Sequence, residues 1–220
     1  MSITVLLIIV TVGISFLAFN KEELMDRLIF YPPAISERNG WVRLFSCGFI
    51  HGDIPHLLFN MYSLYLFGEA VELRFGLLFG EKGKLLYLVM YITAIAVAIL
   101  PTYFKNKHNY HYKSLGASGA VSAVVFCFMI FEPLVGVGLV FIPLYISGFL
   151  FGIIYLAVSY ALDKRGGGHI NHSAHIWGAV YGIVFILVCS QLIAGYPLLQ
   201  EFVEKIRNLD PAQIIRFGNN

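Results

Sequence analysis

Long apolar runs separated by short polar stretches make up most of the chain. Residues 3–19 and 85–104 contain no Asp, Glu, Lys or Arg. Because a helix needs about 20 mostly apolar residues to cross the hydrocarbon of a bilayer, each of these runs predicts a membrane-spanning helix. The same pattern predicts six spans in all, at residues 3–19, 54–75, 85–104, 116–131, 136–162 and 170–194.

Two of these spans come from one long apolar run. Between residues 116 and 162 the only charged residue is Glu132, which is followed by Pro133 and then by Gly136 and Gly138. Since Pro and Gly interrupt helices, the run predicts two helices joined by a turn.

The polar segments predict where the chain leaves the bilayer. Segment 20–53 mixes charges with Trp41, Phe45 and Phe49, so it is too polar to span the bilayer and too aromatic for a disordered linker. We expect a long first loop that lies in the membrane interface. The juxtamembrane tail, residues 196–220, has apolar residues at helical spacing and predicts a surface or tertiary helix.

The composition also indicates a membrane protein. The chain has 58% hydrophobic and 13% charged residues and a mean hydropathy of +0.76, whereas a soluble domain is about 25% charged. We therefore expect an all-α polytopic membrane protein, a six-helix bundle forming a single domain over residues 1–220. A net charge of +2 without a basic stripe argues against nucleic acid as a partner, and three apolar cysteines argue against a disulfide framework.

Two polar side chains stand inside predicted spans and carry the candidate chemistry. Ser118 lies in Gly-Ala-Ser-Gly and His175 in Ala-His-Ile-Trp-Gly. Polar groups are costly in hydrocarbon, and a hydroxyl with an imidazole is the minimum for nucleophilic catalysis. The alternatives are a small-residue packing patch for the first string and a hydrogen-bonded core histidine for the second.

Glycines near both residues favour the catalytic interpretation. Gly116 and Gly119 allow a tight entry into a helix and a close substrate backbone. Ser118 would then stand at the helix start, where unpaired N–H groups and the helix dipole favour a developing oxyanion. His175, Gly178 and Gly182 share one helix face, so the fourth and sixth spans are expected to approach closely.

His56 and Asn60 are four residues apart and therefore lie on one face of the second predicted helix. Each offers an N–H donor toward a shared point. The alternative role is helix–helix hydrogen bonding within the membrane.

These strings together resemble one family. HGDIPHLLFN (residues 51–60), GEAVE (residues 68–72), GASG (residues 116–119) and AHIWG (residues 174–178) with Gly182 resemble, in order and spacing, the rhomboid intramembrane serine proteases from about Trp41 to Gly182. The resemblance implies a Ser-His dyad without a cofactor, in which Ser118 attacks the peptide carbonyl and His175 is the general base. It also implies an oxyanion hole formed by His56, Asn60 and the Ser118 N–H. The implied substrates are single-pass transmembrane proteins.

The resemblance also implies supporting residues. His51 would steady the first loop, and Trp41 and Arg43 would belong to that loop. Glu72, near the end of the second helix, would help to brace it. For both charged residues a solvated surface position is the alternative.

The chain departs from the family pattern at two positions. Many rhomboids have an aromatic residue directly before the loop arginine, and this chain has Val42. Many have Tyr or Phe four residues after the nucleophile, packed on the catalytic imidazole, and this chain has Ser122. Phe126, one turn further along, is the candidate replacement.

Two other functional classes remain open. His169, His172 and His175 recur every three residues, which suggests a metal site, although no His-Glu-x-x-His string is present. Rhomboid-like relatives that have lost the dyad bind membrane proteins without cleaving them, but Ser118 and His175 are both present here.

The location and access route also follow from the resemblance. The minimal six-helix form suggests a bacterial inner membrane. Loops on the side of segment 20–53 carry more Lys and Arg, which by positive-inside counting makes that side cytoplasmic. Rhomboids usually place this side outside, and we follow the family.

The resemblance also implies a route of access. Pro143 and nearby glycines would let the fifth helix lean away, and Gly166–Gly168 would make the adjoining cap mobile.

Overall fold

The computed structural model describes residues 1–138, 144–165 and 170–218, and these residues are mainly helical. The helices are α1 (Ile3–Phe19), α2 (Glu22–Leu28), α3 (Pro32–Arg38), α4 (Arg43–Ser46), α5 (Ile54–Phe79), α6 (Gly83–Asn106), α7 (Ser118–Phe131), α8 (Gly148–Arg165), α9 (His172–Ile193) and α10 (Leu198–Arg207). Short 3-10 turns cover Cys47–Phe49, Gly80–Lys82 and Pro211–Gln213.

A small antiparallel sheet corrects the all-α expectation. Strands β1 (Gly136–Gly138), β2 (Leu144–Ser147) and β3 (Ile215–Phe217) pair in that order. The predicted span 136–162 is therefore wrong in its first part, and its helix begins only at Gly148. Glycine lowers helix propensity by about 1 kcal/mol per residue, so the glycines at both ends of β1 disfavour the predicted helix there. β3 contributes to the same sheet from the predicted helical tail.

Helix α7 forms the centre of the protein. All of its residues except Ser118 and Phe128 are buried, and most of them are small or β-branched. It packs against α5, α6 and α9. The element that begins with Ser118 is therefore enclosed by other helices, which fixes its position.

Some of the helices have the length and composition of membrane spans. In the described part of the chain, two helical stretches are long and apolar enough to cross a bilayer: Ile54–Asn106 and His172–Ile193. The first contains α5 and α6, which pack against each other as a hairpin with the Phe75 and Tyr87 ring centroids 5.9 Å apart. Helices α1 and α7 are apolar but shorter.

The first loop contains three short helices and exposes apolar side chains. Trp41, Val42 and Phe45 are all exposed, which is the distribution expected of a segment that lies in a membrane interface. Arg43 donates two hydrogen bonds, to the carbonyl oxygens of Asp26 (2.7 Å) and Ile29 (2.8 Å). These bonds tie α4 to the end of α2.

Glu72 does not brace this loop. Its carboxylate is buried and accepts hydrogen bonds from Ile3 N (2.9 Å), Thr4 N (2.9 Å) and Thr4 Oγ1 (3.0 Å). The loop joins the end of α1 to the start of α5, and Glu72 lies eighteen residues into α5, roughly 27 Å along its axis. The expectation is corrected: Glu72 caps the N-terminus of α1 at the opposite end of the bundle.

We predict that Glu72→Ala lowers the free energy of unfolding by about 2 kcal/mol or more, because it leaves buried α1 donors without their charged acceptor. Unfolding by SDS in mixed micelles measures the difference. Glu81→Ala is the control, since Glu81 is exposed just after α5. Equal stability of the two variants would contradict the capping role.

Candidate active site

Ser118 is the first residue of α7. Its neighbour Ala117 occupies the N-cap position, and no side chain caps the helix there. The first N–H groups of a helix have no intrahelical partner and point outward from its N-terminus. The Ser118 hydroxyl therefore lies beside backbone donors and at the positive end of the helix dipole.

The backbones of α7 and α9 touch on either side of the candidate residues. A Cβ atom added at Gly178 would lie 2.0 Å from the carbonyl oxygen of Gly119, and one added at Gly119 would lie 3.4 Å from that of Ala174. Gly119 follows Ser118 directly. Ala174 directly precedes His175, and Gly178 follows it by three residues, about one helical turn. Further along, a Cβ at Gly182 would lie 2.2 Å from Ala123 O. The glycines thus permit an approach that larger residues would block.

The first loop is hydrogen-bonded to the segment that precedes Ser118, residues 114–117. Phe30 and Ser114 exchange two backbone hydrogen bonds of 3.0 and 3.1 Å, and Gly116 N donates to Cys47 O at 2.9 Å. The next residue, Ala117, donates its N–H to Nε2 of His51 at 3.4 Å. The position of Ser118 is therefore fixed from the loop side as well as by α9.

His51 connects segment 114–117 to α1. Its Nδ1 lies 3.0 Å from Ser15 Oγ, which in turn donates to Phe49 O at 3.1 Å. Because Nε2 accepts from Ala117 N, the proton is on Nδ1 and is donated to Ser15. Burial lowers the pKa of His51 from 6.5 to about 3, assisted by the nearby His56 and opposed by Asp53. The ring is neutral, as this relay requires.

We predict that His51→Leu lowers stability by about 1–3 kcal/mol near pH 7, because the Ala117 N–H and the Ser15 hydroxyl each lose a buried partner. The variant should also have a shallower pH dependence. The pKa of His51 is depressed in the folded state, so protonation costs stability as pH falls from 6.5 toward about 3, and leucine removes that cost. Unfolding between pH 7 and 4 measures both effects.

His51→Gln separates the two contributions. Glutamine keeps a donor and an acceptor but does not titrate, so it should recover part of the stability at pH 7 and keep the shallower slope. A Leu variant with the parent's pH slope would contradict the assignment of a buried, neutral imidazole.

His56 lies against the turn before Ser118. A Cβ atom added at Gly116, whose φ is +115°, would be 2.8 Å from Cε1 and 2.9 Å from Nε2 of His56. Only glycine suits both that backbone and that contact. Asn60 is buried on the same helix and donates one amide hydrogen to His56 O at 2.9 Å, which leaves its second hydrogen for another acceptor.

The aromatic ring that packs on His175 belongs to α8, and the sequence analysis did not predict it. Tyr155 stacks on the imidazole with centroids 6.2 Å apart and an interplanar angle of 25°. Its hydroxyl lies 2.8 Å from Ser122 Oγ. The expectation for Phe126 is corrected, since Tyr155 is the stacked ring and Phe126 packs on Tyr155 at 5.6 Å. A tyrosine at mid-helix gave no signal, because nothing in its local sequence relates it to Ser122 or His175.

A small cavity of about 20 Å³ lies behind Ser118. Its lining includes Ser118 and Gly119 of α7 and Asn171 and Ala174 at the start of α9. Its volume suits one water molecule. Asn171 caps α9 by accepting from Ala174 N at 3.1 Å, and its amide nitrogen has no partner within the described residues.

Some residues of the metal hypothesis and of the access hypothesis lie outside the part of the chain that the structure describes. His169, Gly166–Gly168 and Pro143 are not among the described residues. In the ranges 1–138, 144–165 and 170–218, no three His, Cys, Asp or Glu side chains gather closely enough to hold a metal ion. His172 and His175 meet edge to face, with centroids 5.7 Å apart.

A family model described as "Rhomboid domain" matches residues 38–192. The matched region extends from the first loop through α9 and includes both Ser118 and His175.

Individual relatives carry the same family name. The chain is 28% identical over 172 residues to Presenilin-associated rhomboid-like protein A, mitochondrial, of Danio rerio, covering 75% of this chain and 42% of that protein. It is 29% identical over 152 residues to RHOMBOID-like protein 12, mitochondrial, of Arabidopsis thaliana, covering 64% and 44%. It is 26% identical over 153 residues to "Putative rhomboid protease YdcA" of Bacillus subtilis (strain 168), covering 69% of this chain and 68% of that protein. The chain spans less than half the length of the first two relatives.

Proposed function

Because the chain belongs to the rhomboid family, we propose that it is an intramembrane serine endopeptidase that cleaves membrane-anchored proteins within or near their transmembrane segment. The observation that carries this proposal is the close approach of α7 and α9 at Gly119 and Gly178, where a Cβ added at Gly178 would lie 2.0 Å from Gly119 O. It brings the helix that begins with Ser118 against the turn of α9 that carries His175.

The proposed mechanism uses only side chains and backbone groups of this chain. His175 accepts the proton of the Ser118 hydroxyl as Oγ attacks the scissile carbonyl, and it then protonates the leaving amine. Water, activated by the same imidazole, hydrolyses the acyl-enzyme. No carboxylate is assigned to orient the ring, so packing must hold it in place.

Oxyanion stabilisation is assigned to groups around the N-terminus of α7. The Ser118 N–H lies at the positive end of the helix dipole, and the His56 ring lies against Gly116, two residues before Ser118. Asn60 would contribute its remaining amide hydrogen. Removing one oxyanion donor typically costs about 10²–10³-fold in kcat.

The length of α7 supports a site beneath the membrane surface. Its 14 residues rise roughly 21 Å, less than the roughly 30 Å of hydrocarbon. We therefore propose that α1, α5, α6, α7, α8 and α9 are the six spans, with Ser118 below the interface. A substrate helix must unwind to expose its amides there, so single-pass proteins with weakly helical segments are the proposed substrates.

For the location we propose the inner membrane of a bacterium, the source of one of the relatives, with the Ser118 side outside. Protease accessibility of tags in the first loop and in the tail, in intact cells and in inverted vesicles, would determine the orientation. A cytoplasmic first loop would favour the positive-inside count over the family expectation.

The function is tested with purified protein in proteoliposomes and a fluorescent single-span substrate. We expect a cut near the membrane surface, mapped by mass spectrometry, that is blocked by a fluorophosphonate bound to Ser118 and unaffected by a chelator. Substrate binding without cleavage would favour the non-catalytic class, and chelator-sensitive cleavage would favour the metal class; either result would overturn the proposal.

A further inference from the structure

We propose that Tyr155 positions His175, and that its location on α8 makes the orientation of the imidazole depend on the packing of α8 against α7. The inference rests on the proposed function, since it assigns a positioning role within the Ser118 and His175 dyad. It goes beyond that function by linking the dyad to a third helix.

Tyr155 contacts both helices of the dyad. Its ring stacks on His175 of α9, and its hydroxyl lies 2.8 Å from the hydroxyl of Ser122 on α7. Ser122 follows Ser118 by one helical turn. A single side chain therefore connects the turn that carries the nucleophile with the ring that carries the base.

The tyrosine is itself held in one orientation. Phe126 packs on it with centroids 5.6 Å apart, and Phe151, one turn earlier on α8, lies at 6.4 Å. Aromatic pairs stabilise each other's orientation beyond the effect of their buried area. These contacts restrict the ring, which in turn limits the rotation of the imidazole stacked on it.

Helix α8 packs on the bundle through small buried residues and through partly buried larger ones, which include Phe151 and Tyr155. Of its 18 residues, only Gly148, Gly152 and Ser159 are fully buried. A Cβ added at Gly152 would lie 3.0 Å from Met129 Sδ and 3.3 Å from Phe126 Cε1, so α8 packs closely on two side chains of α7 one turn before Tyr155. Its opposite face, which includes Ile153, is exposed.

This arrangement has a consequence for catalysis. A hydrogen bond of 2.8 Å and a ring stack are both lost after a shift of one or two ångströms, and a misplacement of about 1 Å in an active site costs roughly 100-fold in rate. If α8 moves away from α7, His175 loses its stacking partner. The dyad is therefore complete only while α8 is packed against α7.

The first test removes the ring. In full-length protein in lipid nanodiscs, Tyr155→Ala should lower kcat by roughly 10- to 100-fold with little change in KM. Tyr155→Phe and Ser122→Ala both remove the hydrogen bond but keep the stacked ring, so each should lose less kcat than Tyr155→Ala. A Tyr155→Ala variant with the parent's kcat would overturn the proposal.

The second test moves the ring to the other helix. Ser122→Tyr combined with Tyr155→Ala places an aromatic ring on α7, opposite the cavity left on α8. We expect the double variant to recover at least about a tenfold gain in kcat over Tyr155→Ala, within the range that positioning supplies. A merely structural role for Tyr155 predicts no such rescue.

The third test displaces α8 without touching the dyad. Gly152→Leu inserts a bulky side chain between α8 and the side chains of Met129 and Phe126, and it should reduce kcat in the same direction as Tyr155→Ala. Ile153→Leu, on the exposed face, is the matched control and should behave like the parent. Parent-like kcat in Gly152→Leu would refute the dependence on α8.

A readout independent of activity separates this inference from the proposed function. In the Ser118→Ala background, the ring current of Tyr155 should move the His175 ring protons upfield in NMR spectra. Adding Tyr155→Phe should preserve this shift, and adding Tyr155→Ala should abolish it. If the parent cleaves no substrate but the shift is present, the function fails and the positioning stands. If the parent cleaves and the shift is absent, the inference fails alone.

Discussion

Replacing Ser118 with alanine is expected to lower the cleavage rate of a single-span substrate by roughly 10³-fold or more, to the level that binding and oxyanion stabilisation alone support. His175→Ala should lose a similar factor, because an unassisted hydroxyl is a weak nucleophile. Residues that act as one unit are strongly non-additive. The double variant should therefore be no slower than either single variant.

Two matched variants separate the dyad from its alternatives. His172→Ala removes the imidazole that meets His175 edge to face, and a metal site would require it, whereas the dyad predicts a rate within a few fold of the parent. Ser63→Ala removes a half-buried hydroxyl of α5 and controls for the loss of any serine. Single-turnover kinetics in proteoliposomes give all of these rates. Parent-like cleavage by Ser118→Ala would refute the dyad.

The features of this site that depend on local sequence pattern could be predicted from the sequence. The apolar run that predicts a span at residues 3–19 has the same bounds as α1. The predicted helix at residues 116–131 begins two residues later in the structure, at Ser118, because Gly116 adopts a positive φ that a helix excludes. Glycines at helical spacing similarly anticipated the close approach of α7 and α9. Helix periodicity and backbone sterics act within a few residues and are therefore readable in a single chain.

The features that were missed depend on contacts between distant segments. Tyr155 is 33 residues from Ser122, so its pairing depends on how α8 crosses α7, which no local pattern specifies. Strand β2 pairs with β3 through Leu144 and Phe217, a register that only the folded chain defines. Glu72 is 68 residues from Thr4, and its sequence gave no indication that α1 would place its N-terminus there.

Substituting Gly178 with alanine is expected to be among the most destabilising single-methyl changes in the chain. The added Cβ would lie 2.0 Å from the carbonyl oxygen, 2.8 Å from the carbonyl carbon and 3.1 Å from the Cα of Gly119. These are all backbone atoms, so no side-chain rotation relieves the clash. Only separation of α7 from α9 does, and overpacking of this kind costs about 1–3 kcal/mol, sometimes more.

The matched control is Gly13→Ala, in the middle of α1. A Cβ there would meet nothing within 4 Å, so alanine should stabilise the helix by about 0.5–1 kcal/mol. Both variants add one methyl group to a helical glycine and differ only in what that group meets. SDS-induced unfolding in mixed micelles should therefore give changes of opposite sign.

Activity provides a second measurement on the same pair. The clash at Gly178 displaces the backbone next to Ser118, so Gly178→Ala should lose more catalytic rate than its unfolded fraction explains. A loss of up to roughly 100-fold in the folded enzyme is expected for a displacement of about 1 Å. Gly13→Ala should cleave at the parent's rate. Parent-like stability and activity in Gly178→Ala would mean that α7 and α9 do not meet at Gly119, and the observation that carries the proposed function would be lost.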